Sequence, residues 1–258
     1  MKASFDIAAN TYDQSFTNTK IGRLQRNLVY QLLSKHLHQI KDILEINCGT
    51  GEDAIWLAKQ NFNILATDIS EKMITVGKTK NQYHNLTFAL LDINQIPEKK
   101  DIGTFDMVFS NFGGLNCLTK TELELFFNSI TNNLNKRGKL ALVIMPKNTT
   151  WEQFYFLLKG KFSKAFRRKK EVAIANVDGE NVPTYYYNPK DIINLAKTSF
   201  NILESKPIGF FIPPSYLEPF FKNKIGLLNF LNHLENRIKG WSLLSKYADH
   251  YIIILEKK

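Results

Sequence analysis

The stretch Leu44-Glu45-Ile46-Asn47-Cys48-Gly49-Thr50-Gly51-Glu52-Asp53-Ala54 constrains the fold of this chain more than any other. The short apolar run from Ile43 to Ile46 reads as a buried strand, and a glycine loop follows it. Glycines at that point let the backbone turn sharply and approach a ligand. The next segment, with Ala54, Ile55, Leu57 and Ala58, reads as a helix whose first turn offers free N–H groups. Asp68 then closes a second strand, about 20 residues downstream of the glycines. A side chain of this type at that place accepts hydrogen bonds from two ribose hydroxyls.

The same rhythm continues along the chain. Strand-like runs recur at Asn63 to Thr67, Leu86 to Leu91, Met107 to Ser110 and Leu140 to Met145. Helical segments such as Ser70 to Lys80 and Lys120 to Leu134 separate them. Ile21, Leu24, Leu28, Leu32 and Leu33 predict an amphipathic helix within residues 20–38, ahead of the first strand. Short apolar strands alternating with helices predict an α/β fold: a parallel, doubly wound sheet with right-handed crossovers, covered on both faces. After Met145 the rhythm changes. An aromatic stretch and a basic stretch lead into two β-rich runs, Val172 to Val177 and Val182 to Tyr187, which Asp178-Gly179 joins as a hairpin. Asn188-Pro189 starts a helix, a strand follows near Asn201 to Ile208, and Tyr251 to Leu255 forms a closing buried strand. Residues 213–248 carry Leu227, Leu228, Leu231 and Leu234 on one helical face. No polar linker divides the chain. The expectation is a single domain, 1–258, with insertions at 147–187 and 213–248 that cap a substrate.

Composition excludes several classes. Apolar residues make up 44% of the 258 and charged residues 22%, a globular balance and not a disordered one. No run approaches the ~18 apolar residues of a membrane span. The first residues carry no apolar signal-peptide core, so a cytoplasmic location is expected. Cys48 and Cys117 lie far apart without metal-ligand spacing, so they are expected to be reduced thiols, with no metal bound. The net charge of +10 draws nucleic acid, an anionic membrane face or an acidic small molecule alike.

Gly49-x-Gly51-x-x-Ala54 also satisfies the dinucleotide fingerprint. Glu45 argues against that ligand, because a carboxylate beside the loop repels a pyrophosphate and attracts an ammonium. Asp92 ends the third strand, where it can accept from an adenine amino group, and the last two strands form a C-terminal pair. With these residues in place the chain resembles the class I S-adenosylmethionine methyltransferases. The resemblance rests on Glu45-x-x-x-Gly49-x-Gly51, Asp68, Asp92-Ile93 and Phe105-Asp106-Met107-Val108, in order. The opening Phe5-Asp6-x-x-Ala8-x-x-x-Tyr12-Asp13 is similar to the subgroup that methylates quinones and other small molecules. The resemblance implies a Rossmann-like seven-stranded sheet of order 3-2-1-4-5-7-6 with strand 7 antiparallel, and S-adenosyl-L-methionine as cofactor. It also implies site residues. Gly49 and Gly51 would flank the methionine moiety, Asp68 and its neighbour Ile69 the ribose, and Asp92 and Ile93 the adenine. Asn111 and Phe112 would line the site near the sulfonium, with Tyr12 closing over it and Glu45 beside the loop. Asp53 is a second candidate for the ammonium, or a helix-dipole partner only.

The acceptor is less legible. Asn111-Phe112-Gly113-Gly114 replaces the Asn/Asp-Pro-Pro-Tyr/Phe signature of enzymes that methylate nucleic-acid bases on exocyclic amines, so nucleic acid is disfavoured. Trp151, Phe154, Tyr155, Phe156, Phe162 and Phe166 alternate with Lys159, Lys161, Lys164, Arg167, Arg168, Lys169 and Lys170. Such a segment stacks single-stranded RNA, docks on an anionic membrane, or caps the core with its aromatic face inward and its charges in water. The basic run Arg167–Lys170 is the natural lipid contact of the second case. The sulfonium methyl is already electrophilic, so a base is required only for a poorly acidic acceptor. His250 beside Asp249 has the pattern of a base and its orienter, but equally that of a structural pair. The catalytic residues stay unassigned. The leading expectation is methyl transfer to a small apolar or anionic acceptor, with an RNA methyltransferase or an inactive cofactor-binding partner subunit as the alternatives.

Overall fold

The computed structural model describes residues 5–98, 102–177 and 179–258. The strands are β1 (Asp42–Ile46), β2 (Asn63–Asp68), β3 (Leu86–Leu90), β4 (Phe105–Ser110), β5 (Leu134–Ile144), β6 (Ala173–Val177), β7 (Glu180–Thr184), β8 (Phe200–Ile208) and β9 (His250–Lys257). The helices are α1 (Lys20–Leu33), α2 (Glu52–Ala58), α3 (Glu71–Lys80), α4 (Lys120–Ser129), α5 (Thr150–Leu158), α6 (Phe162–Ala165), α7 (Pro189–Ala196), α8 (Glu218–Phe221) and α9 (Ile225–Ile238). Seven strands form one sheet in the order β3-β2-β1-β4-β5-β9-β8, and β6 and β7 pair apart from it. The first five strands pair in parallel, while β9 runs antiparallel to both β5 and β8. This is the Rossmann-like order 3-2-1-4-5-7-6 with its antiparallel last strand.

Alternation along the strands divides the core. Leu44, Val108, Leu140, Leu142, Ile253 and Leu255 meet Leu123, Phe126 and Phe127 of α4 and Ile192 of α7 on one face. Ile43, Met107, Phe109, Ala141, Val143, Ile252 and Ile254 meet Leu28 and Leu32 of α1, Leu57 of α2 and Ile74 of α3 on the other. Each such side chain contributes about 1.5–3 kcal/mol on leaving water, so a one-residue slip of any strand is costly. Register is thereby fixed, and the loops after β1, β2 and β4 gather at one end of the sheet, where open α/β folds bind ligands.

Several expected boundaries shift. The helix expected over 120–134 ends at Ser129, a 3₁₀ turn covers Ile130–Asn133, and β5 begins at Leu134. Arg137, at φ 60°, lies in the bulge between the pairs Leu134–Phe105 and Lys139–Met107. That irregularity hides the first half of β5 from a reading by pattern. The hairpin's second strand stops at Thr184, because the N–H groups of Tyr185 and Tyr187 donate instead to Asn116 O and Met145 O. Val177 and Glu180 flank the expected two-residue turn, whose Asp178 lies outside the described residues. In α9 Leu228 is buried, whereas Leu227 faces out.

The first insertion departs from the expected polarity at Glu152, its two arginines and part of its apolar side chains. Glu152, on α5, is fully buried and accepts from Arg167 Nε (2.5 Å) and Arg168 Nε (3.0 Å). Arg168 Nη2 reaches Asp249 Oδ1 at 2.8 Å, just before β9. Arg167 and Arg168 are therefore not part of a solvated basic stripe, while Phe154, Leu158 and Phe162 stand exposed. Breaking a buried pair by removing one partner strands the other charge. Glu152→Ala is expected to lower stability by about 3–5 kcal/mol in urea unfolding. A loss under 1 kcal/mol would show that the cluster is dispensable.

Candidate active site

Two neighbouring cavities open where the sheet's loops converge. The smaller is lined by Tyr12, Arg26, Asn47, Cys48, Gly49, Thr50, Glu52, Asp53, Asn111 and Phe112. The larger, ≈ 400 Å³, has Tyr12 and Phe112 in common with it and is walled by the β6–β7 hairpin, the 214–216 loop and His250.

The glycine loop follows from local chemistry. Gly49 and Gly51 hold φ of +53° and +76°, a region that other residues enter only at a cost. At Gly51 a Cβ would come within 2.4 Å of the Phe88 ring, so no side chain fits between α2 and β3. Asp68 fixes the loop from the next strand, since Oδ2 accepts from Gly49 N and Oδ1 from Ser70 N, both at 2.9 Å. Burial outweighs these bonds and raises the Asp68 pKa. The N-terminal segment lies across the loop. Asp13 accepts from Thr50 Oγ1 at 2.6 Å and from Lys80 Nζ at 2.7 Å, and Asp6 accepts from Ser70 Oγ. This pinning puts Tyr12 in both cavity walls, its hydroxyl pKa pushed up to about 12, chiefly by burial.

A buried ion pair completes the smaller cavity. Arg26 Nη1 lies 2.7 Å from Asp53 Oδ1, and Asp53 also accepts from Tyr30 Oη (2.8 Å) and Asn111 Nδ2 (3.1 Å). Burial opposes the charge of Arg26, but Asp53 holds the guanidinium protonated beyond its ordinary range. Asp53 is thus neutralised within the chain, so the expected role of ammonium ligand is not reserved for it. Asn111 Oδ1 accepts from Phe112 N, and Phe112 adopts φ +44°, rare for a bulky residue. That turn sets the Phe112 ring edge-on to His250, with centroids 5.4 Å apart.

Residues 43–138 match a family model described as a methyltransferase domain. The chain is 33% identical over 138 residues to a putative methyltransferase of Geobacillus sp. (strain WCH70), covering 53% of this chain and 56% of that one. It is 27% identical over 237 residues to the uncharacterized protein MJ1252 of Methanocaldococcus jannaschii, covering 85% of this chain and 86% of the relative. The structure of a putative S-adenosylmethionine-dependent methyltransferase from Listeria monocytogenes superposes with a TM-score of 0.61 over 90% of this chain and 99% of that one, at 16% identity, a likeness of fold. Residues 43–138 are thus similar to a methyltransferase domain, and the chain as a whole shares the fold of the S-adenosylmethionine-dependent methyltransferases.

The smaller cavity, at ≈ 30 Å³, is narrow, and it is its lining that suits the amino-acid end of S-adenosylmethionine. Arg26 Nε is buried without a hydrogen-bond partner in that wall, a donor suited to the methionine carboxylate, and the glycine loop supplies close backbone. The expected site residues divide into groups. Tyr12, Gly49, Asn111 and Phe112 line the smaller cavity, whereas Gly51 packs behind it. Asp68 ends β2, Ile69 follows it, and Asp92 and Ile93 follow β3, all four outside both cavity walls. Asp92 Oδ1 accepts from Asn94 N and Ile93 is buried in the core, whereas Ile69 is exposed. Glu45 lies beneath the loop, lining neither cavity, and both its oxygens lack partners. Burial, followed by repulsion from Asp53, pushes its pKa well above the carboxylate range. Sequence reasoning missed Arg26 and Tyr30. Their signal was polar residues on the inward face of an amphipathic helix, where Arg26 and Gln25 interrupt the leucines.

Three measurements test this site. S-adenosylhomocysteine is expected to raise Tm and NAD to leave it unchanged, while Asp68→Ala weakens S-adenosylhomocysteine binding by about 1.5–3 kcal/mol in calorimetry. A shift with NAD, or unaltered affinity, contradicts it. Glu45→Gln is expected to raise the Tm of the cofactor-free protein at pH 7, because it removes an unpartnered buried carboxylate. The sign follows from linkage: a raised folded-state pKa makes the ionised group a cost at high pH. The variant's advantage should therefore shrink as pH falls from that raised pKa towards the ordinary carboxylate value, and vanish below it. A lower Tm at pH 7 would mean that Glu45 has a charge partner.

Proposed function

We propose that this enzyme methylates a small, apolar or anionic acceptor seated in the larger cavity. On this reading residues 147–187 and 213–248 cap the acceptor within one domain spanning 1–258. The observation that carries the reading is the junction of the two cavities at Tyr12 and Phe112. A methyl donor in the smaller space would face an acceptor in the larger one across these two rings. A volume of ≈ 400 Å³ falls in the range of small-molecule sites. Phe5, Phe16, Met145, Val182 and Tyr186 supply an apolar lining, and Arg167 contributes a cation. An RNA-binding stripe is less well supported, since Arg167 and Arg168 are engaged by Glu152 and Asp249.

When bound, S-adenosylmethionine supplies an electrophilic methyl, and the protein's tasks are alignment, exclusion of water and, for a poorly acidic acceptor, removal of a proton. His250 suits the last task. It lines the larger cavity, with Nδ1 3.2 Å from Asp249 Oδ2 but off the hydrogen-bond line. Burial raises the Asp249 pKa, but His250 and Arg168 more than offset this and hold it well below the carboxylate range. Asp249 therefore stays anionic wherever an imidazole titrates, and it would steady the imidazolium formed at His250. Cys117 also lines the cavity, and desolvation pushes its thiol pKa up to about 11, which disfavours the reactive thiolate.

Labelled cofactor incubated with fractionated extract should transfer its methyl to a small molecule. With that acceptor in hand, His250→Asn is expected to lower kcat about 10²–10⁴-fold with S-adenosylhomocysteine affinity retained. The acidic limb of the pH–rate profile should disappear, because the base works only when neutral. A profile unchanged in shape would remove His250 from the chemistry, and label appearing only in RNA would overturn the acceptor class.

A further inference from the structure

We infer that the outward face of the first insertion is a docking surface for an anionic lipid bilayer. The argument begins with the rotation of α5. Glu152 is locked inward by Arg167 and Arg168, and Trp151 and Tyr155 pack beside it onto the cluster of Phe221 and Leu228. At about 100° per residue, Leu157, Phe154 and Leu158 then fall about 140°, 200° and 240° round the helix from Glu152. They occupy the opposite face, where a surface helix normally carries polar residues. Phe154 is 61% exposed and Leu158 72%, and Phe162 on the following α6 is 66% exposed.

The charges around this face select the occupant. Residues 153–170 contain no Asp or Glu, and Lys159, Lys161, Lys164, Lys169 and Lys170 are all exposed. Exposed aromatic and aliphatic side chains in a segment whose exposed charges are lysines match the interfacial region of an acidic membrane, where the apolar groups insert and the lysines meet headgroups. No helix among the described residues is long and apolar enough to cross a membrane, so the contact is peripheral. The surface also borders the larger cavity. Phe166 precedes Arg167 of the cavity wall, and the Tyr155 ring lies 5.9 Å from that of Tyr216 on the same wall. Docking would set the cavity beside the bilayer, which extends the reading of an apolar acceptor. Binding is measured without any acceptor, so the two readings can fail separately.

The test is cosedimentation of the full chain with phosphatidylcholine vesicles and with vesicles containing phosphatidylglycerol. Binding is expected to the anionic vesicles at low ionic strength and to weaken with salt. Replacing Phe154, Leu158 and Phe162 together with serine should cut the partition coefficient at least tenfold. Replacing Lys161, Lys164, Lys169 and Lys170 with serine should abolish the preference for anionic vesicles. An unchanged Tm shift with S-adenosylhomocysteine certifies the fold of each variant, and Phe162→Ser alone, expected to bind several-fold less, serves if the triple variant fails to fold. The proposal is overturned if the unaltered protein ignores anionic vesicles at low salt, binds neutral ones equally, or binds undiminished after the apolar substitutions. Self-association abolished by the same substitutions, without vesicle binding, would assign the face to a second copy of the chain instead.

Discussion

Asp249 is the point at which four separate parts of this chain are joined. It is buried at the head of the last strand, next to His250 of the cavity wall, and Arg168 reaches it from the first insertion. Gln25 arrives from α1, and its amide also donates to Pro213 O at the start of the second insertion. A single carboxylate in such surroundings is tolerable only because a guanidinium and an amide satisfy it. That requirement makes the positions of α1, both insertions and β9 mutually dependent. A second buried acid works in the same way: Glu235 on α9 accepts from the consecutive N–H groups of Gly209 to Ile212, which anchors the second insertion to the end of β8.

The two cavities differ in how charge is handled around them. Beside the glycine loop, Arg26 and Asp53 cancel one another, while Glu45 stays unpartnered beneath. A zwitterionic amino-acid group brings both a carboxylate and an ammonium, so a neutral pair with spare donors receives it at less electrostatic cost than a lone charge would. Around the larger cavity, Glu152 and Asp249 offset Arg167 and Arg168, and His250 stands beside Asp249 in the wall. Proton transfer there would alter the net charge of the cluster, whereas methyl transfer at the loop would not alter the Arg26–Asp53 pair.

What could be read from the sequence, and what could not, follows the range of the interactions involved. Gly49, Gly51 and Asp68 are legible because strand, turn and helix are local and the chemistry of a left-handed turn allows few residues. The parallel, doubly wound character of the sheet was legible because strand period and crossover handedness are general, whereas the strand order came only with the resemblance to the methyltransferases. Arg26, Tyr30 and the Asp249 cluster were not, because each depends on partners 15 to over 200 residues away, such as Gln25 with Asp249 or Arg167 with Glu152. The boundary at Leu134 was lost for a different reason, a bulge at Arg137 that breaks the alternation a strand is recognised by.

The first insertion illustrates how a buried acid reverses the usual inference from amphipathicity. Read as a sequence, its aromatics belong to the core and its cations to water. Glu152 sits among those aromatics, however, and a carboxylate moved out of water needs cationic donors within hydrogen-bond reach. Arg167 and Arg168, though farther along the chain than Lys147 or Lys159, reach it by folding back through the short α6. Once they turn inward, the helix has no freedom to rotate, and Phe154 and Leu158 are forced out by geometry alone. The same reversal explains why the lysines, and not the arginines, remain at the surface. Arginine offers several donors in a fixed fork and is the more weakly hydrated cation, so of the two it is the one that a buried carboxylate retains.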